Sequence, residues 1–506
     1  MRTYPVFRLT ICMAAGILFA DKCNIEVGWG YLAGLLPIFL FLCWRLNNSS
    51  YDTRWVFGAG VSCFMFLVGV VLTGHAWKEV RADWASEKKA YRAIVQESVQ
   101  EKQRSFQVPV DIEGKDVWLY MAKDSLSASL MPGDELYVYT RMESPKNYLY
   151  YKGISGTAYV PSEAWQRTES MPQLNLKMKA LRLREKILEK YRQWGIEAEP
   201  MPVLSALTLG HKGSLDKETR EAYAVAGISH VLALSGMHVG IVWLLLDVLL
   251  RPLARGRFRW LKGLFVIASL WGFAFVVGLE ASVVRAVLMC MLVEISRLSG
   301  FKPFSLNTLG IAAFFMLLYQ PFYLFDVGFQ LSFVAVLSIL VLYPLFFQYF
   351  AVKGKVKRWI GGVMSLSLAA QLGTAPLVMY YFSSFSVYFL LTNLVAAVMV
   401  PFIIYGAFLM VLTSGLPMVQ EWVVKLLNEG VMALNGLAGW TSALPYATFS
   451  FSIFRPIEVM VFYAMMGVWV MYWKNRKRSW LIGGLAMSAC LLGIHFCLLL
   501  VNHFYK

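Results

Sequence analysis

Charged side chains are scarce in this sequence. Asp, Glu, Lys and Arg make up 15% of its 506 residues, whereas hydrophobic residues make up 58%. A typical soluble domain is about 25% charged, and a soluble fold of this composition would leave large apolar patches in water. The composition excludes an ordinary soluble protein and predicts a polytopic α-helical membrane protein.

Cysteine is also sparse, and none of the seven cysteines lies between residues 78 and 227. This excludes a disulfide framework from the polar part of the chain. No CxxC pair and no Cys/His cluster has the spacing of a metal site. We therefore expect no metal and no other cofactor.

The common catalytic motifs are missing as well. The sequence contains no GxxxxGK[ST] phosphate-binding loop, no HExxH zinc motif and no GxSxG nucleophile motif. Without these motifs, the sequence gives no support for an enzyme, and we expect a protein without catalytic activity.

Long apolar runs are abundant, and many approach the ~20 residues that a membrane span needs. They predict about 10–13 membrane segments and leave one polar insert between residues 78 and 227. The runs fall near 6–20, 29–44, 55–77, 230–250, 263–279, 282–298, 305–319, 327–350, 359–381, 386–413, 457–473 and 480–501.

The net charge of +16 comes mostly from loops between these runs. Residues 78–200 carry 20 Lys and Arg against 18 Asp and Glu, whereas the rest of the chain carries 27 against 13. Loops 251–262, 351–358 and 474–478 are basic and contain no acid. Because cytoplasmic loops are enriched in Lys and Arg, these three loops are predicted to be cytoplasmic, which places residues 78–227 on the extracytoplasmic side.

The count of spans between the last two basic loops is odd, although both loops are predicted on the same side. Either 419–444 crosses the membrane despite Glu421, Lys425 and Glu429, or 386–413 is two short pieces broken at Pro401. As a further alternative, segment 419–444 is an amphipathic helix that lies in the membrane interface. The sequence leaves these alternatives open.

Within the insert, alternating apolar residues and turn signals predict short strands. These strands cover 106–113, 116–121, 134–142 and 156–161, and they favour a small β-barrel or sandwich. Residues 174–194 are predicted to form an amphipathic helix. This helix rests on the membrane, packs under the barrel or contacts a polyanion. We therefore expect three domains: N-terminal transmembrane helices at 1–77, a β-rich insert with its helix at 78–200, and a second membrane domain at 201–506.

Polar groups at membrane depth are costly, so each is a candidate for function. The densest run of them is 230–240. On one continuous helix, His230 and His238 would share a side, and Ser235 would reach the His238 ring. Gly236 and Gly240 would allow close helix contact. The run is either a polar clasp between helices or the lining of a pathway.

Further candidates follow along the chain. Arg285 either pairs with Glu280, reaches the interface or presents a cation to an anionic substrate. Asp326 begins a helix, where a carboxylate ordinarily caps, and Gln330 lies one turn later. Two amides precede prolines that would interrupt membrane helices and line a cavity; they are Gln371, before Pro376, and Asn393, before Pro401.

These residues resemble the ComEC-type competence family. The resemblance rests on the run Ala206–Gly210, on Gly227–Gly240 with its His–(hydrophobic)–Ser–Gly–x–His–Val–Gly pattern, and on the ordered matches Ala281–Ala286, Asp326–Phe333, Gln371–Pro376 and Asn393…Pro401. In the insert, Pro132–Asp134 and Asn147–Ile154 are similar to that family's extracytoplasmic OB-like domain.

The resemblance implies an inner-membrane channel that imports single-stranded DNA during natural transformation, with the candidate residues above lining the path. It also implies as partners a periplasmic DNA receptor, a cytoplasmic ATP-driven DNA motor or single-strand-binding proteins, and the lipid bilayer. Many members continue into a metallo-β-lactamase-like nuclease domain, whose motif this sequence lacks, so we expect a separate nuclease. The alternative is a secondary transporter of a small anionic solute.

Overall fold

The computed structural model describes residues 4–25, 28, 30, 39, 54–168, 174–254, 258–299, 306–350, 354–450 and 454–504. Helices dominate these residues. In chain order they are α1 (Pro5–Cys23), α2 (Arg54–Val80), α3 (Ser125–Ala128), α4 (Asn147–Tyr150), α5 (Leu176–Gln193), α6 (Met201–Leu209), α7 (Lys217–Val225), α8 (Ser229–Leu232), α9 (Gly236–Leu249), α10 (Arg259–Val277), α11 (Ala281–Ser299), α12 (Leu306–Tyr319), α13 (Val327–Phe350), α14 (Lys355–Phe382), α15 (Phe389–Leu412), α16 (Pro417–Ser442), α17 (Pro456–Asn475) and α18 (Arg478–Phe504).

Six helices among the described residues are long and apolar enough to cross a bilayer, namely α2, α10, α13, α14, α15 and α17. Helices α9 and α12 are apolar but shorter. The predicted multi-pass membrane protein is thus confirmed. The span predicted at 29–44 lies outside the described residues, except for positions 30 and 39.

The insert between α2 and α5 contains one sheet of seven strands. These are β1 (Lys89–Val95), β2 (Gln100–Glu101), β3 (Phe106–Ile112), β4 (Lys115–Met121), β5 (Glu135–Thr140), β6 (Gly156–Val160) and β7 (Trp165–Arg167). Their order is β6-β4-β3-β1-β5-β7, with β2 beside β3. All pairs are antiparallel except β4 with β6.

The sheet curls so that its two ends approach each other. The Thr140 hydroxyl on β5 donates a hydrogen bond to the Tyr159 carbonyl on β6, at 3.0 Å. Alternate side chains, including Leu119, Leu136 and Val138, fill the interior, as in small barrels. The β-rich, OB-like insert is confirmed, and the structure adds β1, β2 and β7 to the predicted strands.

The Pro132–Asp134 turn connects the barrel to α5. Asp134 is buried, and its Oδ1 accepts hydrogen bonds of 3.1 Å from both Arg167 on β7 and Arg182 on α5. Its Oδ2 accepts the Met131 backbone N–H at 2.8 Å. A carboxylate that is buried with two guanidinium partners is a strong anchor, and here it fixes α5 to the barrel.

Helix α5 also docks on the membrane helices through a buried arginine. Arg184 donates to the Val277 carbonyl at the end of α10, at 3.1 Å, and to the Ser98 hydroxyl of the insert, at 3.0 Å. A cation at a helix C-terminus is favourable, because unpaired carbonyls and the helix dipole meet it there. The predicted amphipathic helix is confirmed, and its buried face packs under the barrel and against α10.

A second docking point joins the insert to α1 and α2. Tyr151, just after α4, donates to the Asp21 carboxylate at 3.2 Å, and the Trp77 indole donates to the same carboxylate at 3.3 Å. Burial and then the charge of Asp21 raise the pKa of Tyr151, so its hydroxyl stays protonated and donates. The Tyr151 ring packs edge-on against Trp77 and Phe322. The insert is therefore attached at two separate places.

The chain divides into two compact units. Unit 1 contains Met1–Leu215, Leu234–Phe329 and Leu416–Val424, and unit 2 contains Asp216–Ala233, Gln330–Gly415 and Lys425–Lys506. All contacts of the insert given above lie within unit 1. The boundaries between the three predicted domains stay a prediction.

In unit 2, the helices approach one another closely at small residues. The side chain of Ser338 on α13 occupies the space that a Cβ at Gly373 on α14 would need. Such small-residue contacts are common between membrane helices. A two-stranded sheet of β8 (Ser384–Ser386) and β9 (Thr448–Ser450) joins the loops that precede α15 and α17.

Two expectations about prolines are wrong. Pro376 lies inside the continuous helix α14, and Pro401 lies inside the continuous helix α15. Helices in a membrane tolerate proline when neighbouring groups satisfy the freed carbonyls, so neither helix is interrupted. Segment 386–413 is consequently not two pieces. Helix α16 covers 26 residues and is not among the six spanning candidates of the described chain.

Candidate functional site: a polar centre among the membrane helices

The His–Ser run forms a helix break, not the continuous helix that its hydrophobic residues suggest. Helix α8 ends at Leu232, and Ala233 and Ser235 are extended, with Ser235 at φ −125° and ψ 174°. Helix α9 begins at Gly236. Serine favours the position before a helix because its side chain satisfies an exposed backbone N–H, and this preference overrides the surrounding apolar pattern.

Ser235 and His238 satisfy each other at the start of α9. The Ser235 hydroxyl accepts the Met237 N–H at 3.3 Å, and His238 Nδ1 accepts the Ser235 N–H at 3.2 Å. The hydroxyl also lies 3.1 Å from Nδ1, which confirms the expected Ser–His contact. Because Nδ1 accepts a hydrogen bond, the ring hydrogen of neutral His238 is on Nε2. The geometry is a reciprocal cap, as in the clasp alternative.

The carbonyl that the break leaves open is bound by α11. Ser282 donates its hydroxyl to the Leu234 carbonyl at 2.7 Å. One turn later, Arg285 donates to the Ser282 carbonyl at 3.4 Å. The sequence prediction missed Ser282, although this residue lies in the family-like run Ala281–Ala286; a hydroxyl three residues before an arginine in an apolar run was the available signal.

Arg285 and His238 are almost completely buried, with 2% and 1% of their surface exposed. The carboxylate whose charge acts on Arg285 is Asp326. Asp326 also accepts the Phe329 N–H at 2.8 Å and so caps α13, as its position predicts. Ser235, His238, Ser282, Arg285 and Asp326 thus belong to one polar centre of unit 1.

Glu280 is held by a different partner from the one considered in the sequence. Lys212 binds its carboxylate with distances of 2.8 and 3.0 Å. Near this pair lies His211. Burial lowers the pKa of His211; the Glu185 carboxylate opposes this shift, and the Arg184 and Arg192 guanidinium groups add to it. This polar cluster joins the docking helix α5 to the loops around the centre.

The glycines of the motif have different roles from those expected. A Cβ at Gly236 would meet Ala286 at an ordinary 3.8 Å, and a Cβ at Gly240 would meet nothing within 4 Å. The predicted close helix contact at these two glycines is therefore wrong. Gly210 and Gly227 are the constrained ones, since both have positive φ, 69° and 78°.

The remaining predicted residues lie in unit 2. His230 is exposed on the short helix α8. Gln330 accepts a hydrogen bond of 2.8 Å from the Tyr381 hydroxyl. Gln371 and Asn393 are half-buried on α14 and α15. His230 and His238 do not belong to one continuous helix, because the break lies between them in the chain.

Beside Asn393 lies a residue that the sequence prediction missed. Thr392 is fully buried and donates to the Ala226 carbonyl at 2.6 Å, while Ser386 donates to the Val225 carbonyl at 2.7 Å. These two hydrogen bonds satisfy carbonyls at the C-terminal end of α7. They fix the segment that leads to α8 against α15 and the strand before it. Threonine inside an apolar helix was the only local signal.

In the described part of the chain, no group of three His, Cys, Asp or Glu side chains is arranged to hold a metal ion. Two further acids of unit 1, Asp247 and Glu294, have side-chain partners. Asp247 binds Lys262 at 2.7 Å and Arg297 at 3.2 Å, and Glu294 accepts the Trp243 indole N–H at 2.7 Å.

Three curated proteins are similar to this chain over somewhat less than half of its length. ComE operon protein 3 of Bacillus subtilis is 31% identical over 228 residues, which is 45% of this chain and 28% of that protein. An uncharacterized protein of Aquifex aeolicus is 32% identical over 226 residues, 44% of this chain and 49% of that protein. Recombination protein 2 of Haemophilus influenzae is 26% identical over 250 residues, 46% of this chain and 31% of that protein.

The matched part covers less than half of each of these relatives, and no solved structure matches the chain significantly. The sequence pattern of the Competence protein family matches residues 207–476, which is more than half of the chain. That range contains the helix break, Arg285 and Asp326, together with Thr392. The chain belongs to the Competence protein family.

Proposed function

We propose that this protein is an inner-membrane channel that imports single-stranded DNA during natural transformation. The observation that carries the proposal is Arg285, a cation that is 2% exposed in unit 1 and donates a hydrogen bond to the Ser282 carbonyl. Burying a cation at membrane depth is costly, and proteins keep such residues where an anion or a charge pathway needs them. The phosphodiester backbone of DNA is such an anion.

The break before α9 supports the proposal. Its extended segment has backbone groups that bind the Ser282 hydroxyl and the His238 ring, and non-helical backbone at membrane depth is tolerated where it is enclosed by protein or lines a cavity. In this proposal, Ser235, Gly236, His238, Arg285 and Asp326 line the path. The other predicted lining residues, His230, Gln330, Gln371 and Asn393, belong to unit 2 and stay candidates. Binding to each is weak, because a conduit must release every nucleotide.

The outer surface of the insert is suited to receive the strand. Tyr137 and Tyr139 on β5 and Tyr159 on β6 are exposed on the outside of the barrel, and Tyr120 on β4 is in register with Tyr159. Aromatic faces on OB-like barrels stack bases without sequence preference. With the basic loops in the cytoplasm, this surface faces the extracytoplasmic side, where a periplasmic DNA receptor would deliver DNA.

The family description, Competence protein, agrees with a role in DNA uptake. The chain carries no nucleotide-binding loop, so the proposal requires a cytoplasmic ATP-driven motor or single-strand-binding proteins to draw the strand inward. It equally requires a separate nuclease to remove the complementary strand, because the protein itself is proposed to have no catalytic activity.

The test is import of labelled DNA into the cytoplasm of cells that lack only this gene. The cells are complemented with the wild-type protein, with Arg285→Leu or with Arg285→Lys, and the protein level in the membrane is measured in parallel. We expect Arg285→Leu to lower DNA import at unchanged protein level, and Arg285→Lys to restore part of it. Arg297→Leu is the matched control, since it removes a cation from the exposed end of the same helix.

Normal DNA import in the null strain, or with Arg285→Leu at normal level, would overturn the proposal. A third outcome favours the transporter of a small anionic solute. In that case the purified protein in liposomes would take up small anions in an Arg285-dependent manner, and the null strain would still import DNA.

His238 requires a paired design, because it caps α9. His238→Leu leaves the Ser235 N–H without its acceptor, which costs roughly 1–3 kcal/mol and is expected to lower protein level and DNA import together. The double variant Ser235→Asp/His238→Leu supplies a new cap, since aspartate caps as well as serine does. If this variant is stable and imports DNA at the normal rate, His238 is a structural cap and does not line the path.

A further inference from the structure

Among the residues that the structure describes, one end of unit 2 carries seven cations and no acid. Helix α14 begins there, and the turn between α17 and α18 lies there. We call this surface the basic end. It consists of Lys355, Lys357, Arg358, Lys474, Arg476, Lys477 and Arg478, which are all exposed.

The two groups of cations form one surface because both contact the last turns of α13. Arg476 donates to the Tyr349 hydroxyl at 3.0 Å, and Trp473 packs edge-on against Phe346 with ring centroids 5.8 Å apart. From the other side, the Arg358 guanidinium lies over the Phe347 ring, 5.8 Å from its centroid. Aromatic side chains thus lie between the cations.

In unit 1, by contrast, two cations have carboxylate partners. Lys262 and Arg297 are bound by Asp247, and Arg297 also contacts Glu294. At the basic end, Arg476 and Arg358 contact aromatic rings and a phenol hydroxyl. None of the seven cations of the basic end takes part in a salt bridge among the described residues. A cation without a carboxylate partner keeps its full charge for an external anion.

The exposed rings distinguish the possible anions. Tyr349 is 63% exposed beside Arg476, and Trp359 is 47% exposed one residue after Arg358. Lipid headgroups are recognised by charge and require no ring. Single-stranded nucleic acid uses both features, because cations bind the phosphates while aromatic rings and arginine planes stack on the bases.

We propose that the basic end is a binding surface for single-stranded nucleic acid at the cytoplasmic mouth of the protein. The inference rests on the proposed function, in which a DNA strand emerges on this side. The cations hold the phosphates, and Tyr349 stacks on a base. Emerging DNA is thereby retained at the membrane until a cytoplasmic partner binds it.

The test measures binding of a fluorescein-labelled oligothymidylate of about 20 nucleotides to the purified full chain in phosphatidylcholine nanodiscs, by fluorescence anisotropy at several salt concentrations. Each cation–phosphate contact contributes about 0.7 to the slope of log affinity against log salt for single strands. The triple variant Lys474→Gln/Lys477→Gln/Arg478→Gln is expected to make that slope shallower by about 2. The matched control Arg251→Gln/Arg259→Gln/Lys262→Gln removes equal charge from the other basic loop and is expected to leave the slope near that of the wild type.

A second variant tests the ring without changing charge. Tyr349→Ser is expected to weaken binding about tenfold with an unchanged salt slope, because base stacking on one ring accounts for an effect of this order. Tyr349→Phe keeps the ring and is expected to bind like the wild type.

Unchanged slopes in the triple variant and unchanged affinity in Tyr349→Ser would overturn the proposal. So would a triple variant that binds DNA normally but retains less phosphatidylglycerol when it is purified from mixed-lipid membranes, since the surface would then bind lipid headgroups. The proposed function fails separately. If the null strain imports DNA normally, the channel is refuted, whatever the basic end binds; if only the nanodisc result is negative, the channel stands without this surface.

Discussion

Replacing Gly227 with alanine tests how the segment before the helix break is held. Gly227 follows α7 and has a φ of 78°, which is the left-handed region. A Cβ there would lie 2.8 Å from the Phe389 Cβ and 3.0 Å from the Ser386 Cβ. Both are the first atoms of their side chains, so a rotamer change cannot move them away.

The size of the effect follows from three contributions. A non-glycine residue in the left-handed region costs about 1–2 kcal/mol. Overpacking against Phe389 costs about 1–3 kcal/mol. Displacing Ser386 weakens its 2.7 Å hydrogen bond to the Val225 carbonyl, which is worth about 1 kcal/mol. Together they predict a loss of about 4 kcal/mol, or a decrease in Tm on the order of 10 °C for a unit of this size.

The assay is thermal unfolding of the purified protein in detergent, with the amount of protein in the membrane as a second measurement. Gly240→Ala is the matched control from the same motif. Its Cβ would meet nothing within 4 Å, and alanine in a helix is favoured over glycine by up to about 1 kcal/mol. If Gly227→Ala melts at the same temperature as Gly240→Ala, the contact of α7 with Ser386 and Phe389 is not as described.

Three further predictions concern unit 1. Burial lowers the pKa of His211, so the unfolded chain binds a proton more readily than the folded protein, and stability is expected to fall as the pH decreases below about 6.5. His211→Asn is expected to remove part of this pH dependence in thermal melts across that range. An unchanged pH profile in this variant would contradict the prediction. Tyr151→Phe removes a hydrogen bond to the Asp21 carboxylate and is expected to lower stability by about 1–3 kcal/mol, whereas an unaltered melting temperature would mean that the rings alone secure this docking point. In intact cells with a permeabilised outer barrier, a cysteine at Lys146 is expected to react with a membrane-impermeant thiol reagent and one at Phe258 is not; the reverse labelling would invert the proposed orientation.

Much of the architecture could be predicted because its signals are local. Apolar runs indicate the membrane helices, and alternation marks strands such as β4 and β5. The sequence showed the Pro132–Asp134 motif, but it did not show which residues Asp134 binds. Asp134 joins β7 and α5 through Arg167 and Arg182, and contacts between distant segments leave no periodic pattern in the sequence.

The helix break shows where local reasoning fails. An apolar run around Ser235 predicts one helix, yet the reciprocal cap with His238 begins a new one. The Leu234 carbonyl that the break leaves open accepts a hydrogen bond from the Ser282 hydroxyl, 48 residues away. The sequence singled out His238, Arg285 and Asp326 as candidates, but which of these groups meet was decided by the packing of α9, α11 and α13.

The two docking points of the insert have a consequence for exchanging parts between relatives. A single attachment would let a foreign barrel be grafted onto these helices by matching one loop. Here Tyr151 needs Asp21 of α1, and Arg184 needs both Ser98 and the end of α10. A transplanted insert brings only its own half of each attachment. A working chimera must therefore exchange Asp21, with its surroundings in α1, and the α10 terminus together with the barrel.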